Sequence, residues 1–114
     1  MLFPSRKDLV MQITITARHC ELDEAYKHHA EQEILRLTRY IDQILNAGLI
    51  IVQEKYRYTA ELNIHIDGAT LTSKEEDPEM YVALDKAAAK MERQLKKFNA
   101  KLHDHRVRRD LQAP

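Results

Sequence analysis

One cysteine, two glycines and three prolines stand in a chain of 114 residues. The single Cys20 cannot close an intramolecular disulfide, which excludes a disulfide scaffold and fits a reducing, cytoplasmic location. So little glycine and proline leaves few sites for long irregular loops. Long apolar runs are missing as well. The longest, Ala47 to Val52, spans six residues and cannot cross a bilayer. The first ten residues, MLFPSRKDLV, place Arg6, Lys7 and Asp8 where a signal peptide needs an unbroken apolar segment. Nor is there an excess of either charge, since 18 Lys and Arg balance 18 Asp and Glu. What is present, 44% hydrophobic residues, is too much for a disordered chain and suits one domain with one core.

The zero net charge conceals a division. Residues 1–77 carry nine basic and thirteen acidic side chains, whereas residues 78–114 carry nine basic and five acidic. Charges more than about 8 Å apart are largely screened at physiological salt, so a partner senses the local patch rather than the sum. The C-terminal third is therefore the part suited to a polyanion.

Hydrophobic periodicity places the elements. Met11, Ile13, Ile15 and Ala17 alternate with Gln12, Thr14, Thr16 and Arg18, the pattern of a half-buried strand over Met11 to Arg18. Leu22, Tyr26, Ala30, Ile34, Leu37, Ile41 and Ile44 then recur every three or four residues. This spacing predicts a helix from about Asp23 to Leu45, capped by Asp23 and stopped by Asn46-Ala47-Gly48. Leu49 to Asp67 is too long for one strand and is expected to fold back within Gln53 to Arg57. Ala60, Leu62, Ile64 and Ile66 define its second limb. Asp67-Gly68 signals a hairpin into a short strand from Ala69 to about Lys74, followed by an acidic loop, Glu75-Glu76-Asp77. Pro78 is expected to open a long helix over Glu79 to Arg109 that frays after His105. Met80, Leu84, Ala88, Met91, Leu95, Phe98 and Leu102 form its apolar stripe. The fold class is α+β: a β-α-β-β-β-α two-layer sandwich with two helices packed on one face of a four-stranded sheet.

Lys86, Lys90, Arg93, Lys97 and Lys101 follow one another at spacings of four, three, four and four. At about 100° per residue they fall within roughly an 80° sector, about 135° from the centre of the apolar stripe. A solvated helix usually mixes Glu with Lys at this spacing, because such pairs stabilise it slightly. A single-sign row adds repulsion that a line of phosphates would relieve; the plainer reading is a solvated, Lys-rich helix. On the first helix Lys27 and Arg36 flank the apolar stripe and Arg39 faces outward, with Glu24 and Glu31 among them.

Other constellations carry little. Adjacent His19-Cys20 and His28-His29 diverge on any regular element, and His103-x-His105 lacks a third ligand, so no metal site or cofactor is expected. Nothing orients an imidazole beside Cys20, and no Gly-rich turn could build an oxyanion hole, so catalysis is not expected. Tyr56 and Tyr58 share the parity of Leu62 and Ile64 and read as core or strand-end packing. No GxGxxG, Walker A or RNP1-like sequence is present.

From Met11 to His105 the chain resembles the ribosome hibernation-promoting factors, including the ribosome-associated inhibitor A (protein Y) group. The likeness lies in MQITITARH at the first strand, Leu22-Asp23-Glu24-Ala25 at the helix start and Leu37-Thr38-Arg39-Tyr40 after it. It lies above all in Glu79-Met80-Tyr81-Val82-Ala83-Leu84-Asp85, leading into Lys90-x-x-Arg93-Gln94-Leu95-x-Lys97-x-x-x-Lys101. The resemblance implies a translation inhibitor that binds the small (30S) ribosomal subunit in its neck, occupies the mRNA and tRNA decoding channel and promotes hibernation. It also implies rRNA contacts at Lys27, Arg36, Lys86, Lys90, Arg93, Lys97 and Lys101. Glu33 departs from it, standing where relatives often have lysine. The expected organisation is an N-terminal extension (1–10), the ribosome-binding domain (11–105) and a flexible basic tail (106–114). No C-terminal dimerisation domain fits this length, and the basic tail differs from the acidic extension of inhibitor A-type members. This points to a short form, which in some bacteria acts with a separate ribosome modulation factor. No membrane or small-molecule substrate is expected as partner. Five to seven phosphate contacts would give a log–log salt slope of roughly −4 to −6. The alternatives are a general double-stranded-RNA-binding module and, more distantly, a protein-interaction adaptor.

Overall fold

A computed structural model describes residues 12–41, 44–66 and 68–112, with side chains described through Lys101. In chain order it comprises β1 (Gln12–Arg18), α1 (Glu24–Leu37), a 3-10 turn (Thr38–Tyr40), β2 (Ile44–Glu54), β3 (Arg57–Ile66), β4 (Ala69–Asp77) and α2 (Met80–Gln112). The strands form one mixed sheet in the order β1-β2-β3-β4. β1 runs parallel to β2, and the other two pairings are antiparallel. The order and layering match the expected α+β sandwich.

Register explains why one sheet face is apolar. Ile15 pairs with Leu49, Leu49 with Leu62, and Leu62 with Ser73, so these four side chains share a face. Leu49, Ile51, Leu62 and Ile64 are buried there against Tyr26, Ile34 and Leu37 of α1 and Leu84, Met91 and Leu95 of α2. The opposite face carries Thr14, Gly48, Asn63 and Thr72 in one row, and Thr72 Oγ1 donates to Asn63 Oδ1 at 2.7 Å. Apolar and polar residues alternate because side chains do so along a strand.

Several boundaries differ from the periodicity reading. Asp23 does cap α1, its Oδ1 accepting the Tyr26 N–H at 2.8 Å. The helix, however, ends at Leu37 rather than Leu45. Thr38 closes it, donating through Oγ1 to the Leu35 carbonyl at 2.6 Å, and Ile41 is already extended. Ile41 and Ile44 are buried as the stripe implied, but from outside the helix. Asn46-Ala47-Gly48 is thus no helix stop: it lies in β2, bonded to strands on both sides. Pairing on two edges overrides a helical period that Ile41 and Ile44 continue by coincidence. A register irregularity between Ile44 and Asn46 leaves Leu45 exposed.

The β2–β3 turn falls at Lys55-Tyr56, inside the expected segment, with Lys55 at φ 54°. Tyr56 is 89% exposed at its tip and not packed, because the turn breaks the alternation; Tyr58 packs against the core. At the next hairpin Gly68 has φ 85°, which glycine adopts without penalty; Asp67 lies outside the described residues. β4 extends through Glu75-Glu76-Asp77, so the expected acidic loop is strand, paired with Ala60, Thr59 and Tyr58. Pro78 precedes α2 instead of opening it. Asp77 Oδ2 accepts the Glu79 N–H at 2.9 Å, and the Glu79 carbonyl accepts the first helical bond from Ala83 at 3.0 Å. α2 continues to Gln112, past the expected fraying point, since neither Gly nor Pro interrupts it.

Candidate nucleic-acid interface

α2 is tied to the sheet along one flank and to α1 along the other, and these ties fix what it exposes. On the sheet side the buried Ser73 Oγ donates to the Ala87 carbonyl at 2.8 Å, and Gln94 Nε2 donates to the Thr72 carbonyl at 2.9 Å. On the α1 side Tyr26 Oη donates to the Met80 carbonyl at 3.0 Å, and its ring meets Tyr81 edge-on at 4.9 Å. Burial, reinforced by Asp85, pushes the Tyr26 phenol well above its ordinary value of 10.0, keeping it a neutral donor. Leu84, Ala88, Met91 and Leu95 are fully buried between these ties.

The cationic row consequently points outward. Arg93, Lys97 and Lys101 are exposed and Lys90 is half-buried. Among the described residues no carboxylate oxygen lies within 4.0 Å of these four. The two carboxylates of α2 among the described side chains lie on the α1 flank: Glu92 pairs with Arg36 and, at 3.2 Å, with Lys96, while Asp85 Oδ1 accepts from His29 Nε2 at 3.0 Å. The ammonium of Lys96 also lies 5.2 Å from the Tyr40 ring centroid.

The other three expected contacts are placed differently. Lys86 is held by Asp77 at 2.9 Å, a carboxylate from β4 that helix periodicity could not reveal. The Glu79 N–H and the Lys86 ammonium together hold the Asp77 carboxyl below its usual range. Arg36 bonds Glu92 through Nη1 and Glu33 through Nε at 3.2 Å. These bonds raise the guanidinium pKa, and Arg36 with Lys96 lowers that of Glu92. Lys27 stands 3.8 Å from Glu24 and, at about 100° per residue, on the flank of α1 opposite Arg36 and thus away from α2. Arg39 is exposed in the 3-10 turn. Among the described residues, therefore, four of the seven form a ridge without carboxylate partners, two are ion-paired at its margins, and Lys27 lies apart beside Glu24.

Sequence reading missed one grouping. His29, Glu33 and Asp85 place ligand-type atoms within 4.8 Å of one another. His29 and Glu33 sit four residues apart on α1, a visible signal, but Asp85 arrives only through helix packing. The His103-x-His105 pair lies beyond the described side chains. No described helix is long and apolar enough to cross a membrane.

Comparison with known proteins bears on this arrangement. The profile of the sigma 54 modulation protein / S30EA ribosomal protein family matches residues 13–103. The chain is 33% identical to the ribosome hibernation promoting factor of Azotobacter vinelandii over 80% of its own length and 85% of the relative's. It is 30% identical to the ribosome hibernation promoting factor of Escherichia coli K12, over 83% of this chain and all of that one. The Thermus thermophilus protein Y N-terminal domain superposes with a TM-score of 0.70 at 29% identity, covering 75% of this chain and 94% of that one. A ribosomal subunit interface protein from Coxiella burnetii gives 0.73 at 26% identity, covering 77% and 97%. With the profile match covering most of the chain and reaching both helices and all four strands, the chain belongs to the sigma 54 modulation protein / S30EA ribosomal protein family.

Proposed function

We propose that this protein is a non-enzymatic ribosome hibernation factor that docks the α2 ridge on rRNA phosphates of the small subunit, in the mRNA and tRNA decoding channel. Its relatives' names support the ribosome as target. The observation that carries the interface is the run Lys90, Arg93, Lys97 and Lys101, exposed or half-buried and without carboxylate partners among the described residues.

A row of ammonium and guanidinium groups on a stiff helix complements a phosphate backbone in sign. It releases counterions on contact and carries no base information, so selectivity rests on the shape of the cleft. The ion pairs revise the expected salt response. The four cations without partners among the described residues give a log–log slope of about −3, shallower than a count of five to seven contacts implies. Lys86 and Arg36 would first have to leave Asp77 or Glu92. Occupying the channel would exclude mRNA and tRNA by volume, with no chemical step. A separate modulation factor belongs to this proposal as a collaborator in pairing ribosomes, and the cytoplasm as its setting.

Sedimentation with purified subunits tests the reading. The protein should travel with small subunits at low salt, leave them at high salt and compete with mRNA. Co-sedimentation with large subunits only, or equal affinity for an arbitrary RNA duplex, would replace it with the general duplex-binding alternative.

A further inference from the structure

We propose that His29, Glu33 and Asp85 form a binding site for a first-row divalent transition-metal ion, bridging α1 and α2. The three side chains are chemically a mixed set, one imidazole and two carboxylates, and their ligand-type atoms lie within 4.8 Å of one another. His29 and Glu33 project together from α1 because four residues make roughly one helical turn. Asp85 comes from the second turn of α2, which the Tyr26–Met80 hydrogen bond and the Tyr26–Tyr81 ring contact hold against α1. The site is thus positioned by core packing rather than by a surface loop.

The separation of the imidazole and the Asp85 carboxylate suits an ion. His29 Nε2 and Asp85 Oδ1 are 3.0 Å apart. With metal–ligand bonds of about 2.0–2.1 Å, that separation subtends roughly 90° at the metal, the cis angle of a five- or six-coordinate ion. Glu33 supplies a third direction. Arg36 engages its Oε2, and Arg36 is held in turn by Glu92, so the ion would take Oε1, which has no hydrogen-bond partner among the described residues. His29 and Glu33 are half-buried and Asp85 is exposed, leaving a solvent side where water completes the coordination. The imidazole favours zinc, nickel or cobalt over magnesium or calcium, which prefer all-oxygen sites.

Such an ion would replace the His29–Asp85 hydrogen bond with a bridge between the helices and add positive charge beside Arg36. Because it binds the folded pair and not the separated helices, it would also raise thermal stability.

The test is calorimetric titration of the untagged full chain with Ni2+, paired with thermal melts and amide NMR, with Mg2+ as the control ion. The expected result is one Ni2+ per chain, a higher melting temperature, and paramagnetic broadening centred on His29 and Asp85. Affinity should fall at least about tenfold in His29→Ala and in Asp85→Ala, while His28→Ala and the double variant His103→Ala/His105→Ala bind as the parent does. Both test positions lie partly in solvent, and an unchanged circular dichroism spectrum confirms that each variant is folded. Three results would overturn the site: no Ni2+ binding at millimolar concentration, undiminished binding by both variants, or loss of binding with the tail histidines instead. Equal binding of Mg2+ would contradict the assigned metal class.

Discussion

Arg36 and Glu92 are hydrogen-bonded across the two helices, Nη1 donating to Oε1, and the same carboxylate holds Lys96. One acid thus restrains two cations at the edge of the ridge. Glu92→Gln should leave both more available and strengthen binding to small subunits about two- to fivefold at low salt. Arg36→Ala should change it by less than about twofold. Filter binding at one fixed salt concentration separates the two outcomes.

Stability should fall in acid, for reasons that these ion pairs fix in sign. The Glu79 N–H and Lys86 depress the Asp77 carboxyl, and Arg36 and Lys96 depress that of Glu92. A depressed carboxyl binds fewer protons in the folded chain than in the unfolded one. Its stabilisation is present above the ordinary values of 3.8 and 4.5 and is lost as pH falls through the lower folded value. Melting temperatures recorded from about pH 6 down to pH 3 should decline, and Asp77→Asn/Glu92→Gln should flatten the decline. Tyr26 acts at the other extreme. Its raised pKa means stability is lost as pH climbs above 10, and Tyr26→Phe should remove that loss at a cost of about 1 kcal/mol for the missing bond to Met80.

The two glycines should respond oppositely to a side chain. Gly48 sits on the polar sheet face in β2, and an added Cβ would meet nothing within 4 Å. Gly48→Val should therefore stabilise the strand, by up to about 1 kcal/mol. Gly68 has equal room but φ 85°, so Gly68→Val should destabilise by about 1 kcal/mol or more. Denaturant midpoints of both variants test this contrast.

Truncation of the core should matter far more than either change. Leu62 is fully buried on an inner strand, in the core cluster that both helices enter, and Leu62→Ala should cost about 2–5 kcal/mol. Ser73→Ala removes one buried hydrogen bond to the Ala87 carbonyl and should cost about 1 kcal/mol. Urea unfolding of the two variants ranks them.

Local signals located most of the fold. Alternation placed β1 and the buried face of β3, Asp23 marked the α1 start, and the stripe from Leu84 to Leu95 marked the buried side of α2. Failures occurred where distant pairing decides the outcome. Ile41 and Ile44 kept a helical spacing although β1 and β3 draw Ile44–Glu54 into the sheet. Glu75 and Glu76 looked like loop because a strand's polar residues on an edge resemble a turn. The ridge was visible for the same reason the stripe was, since both are properties of one helix. The pairing of Lys86 with Asp77 and of Arg36 with Glu92 was not, because each joins two different elements.

Salt-dependent binding to small subunits, compared between the parent chain and Lys90→Glu/Arg93→Glu/Lys97→Glu, tests the central claim most directly. The account predicts a log–log slope of about −3 for the parent, and loss of binding in the variant with its helical circular dichroism intact. A folded variant that retains the parent's affinity and slope would contradict it.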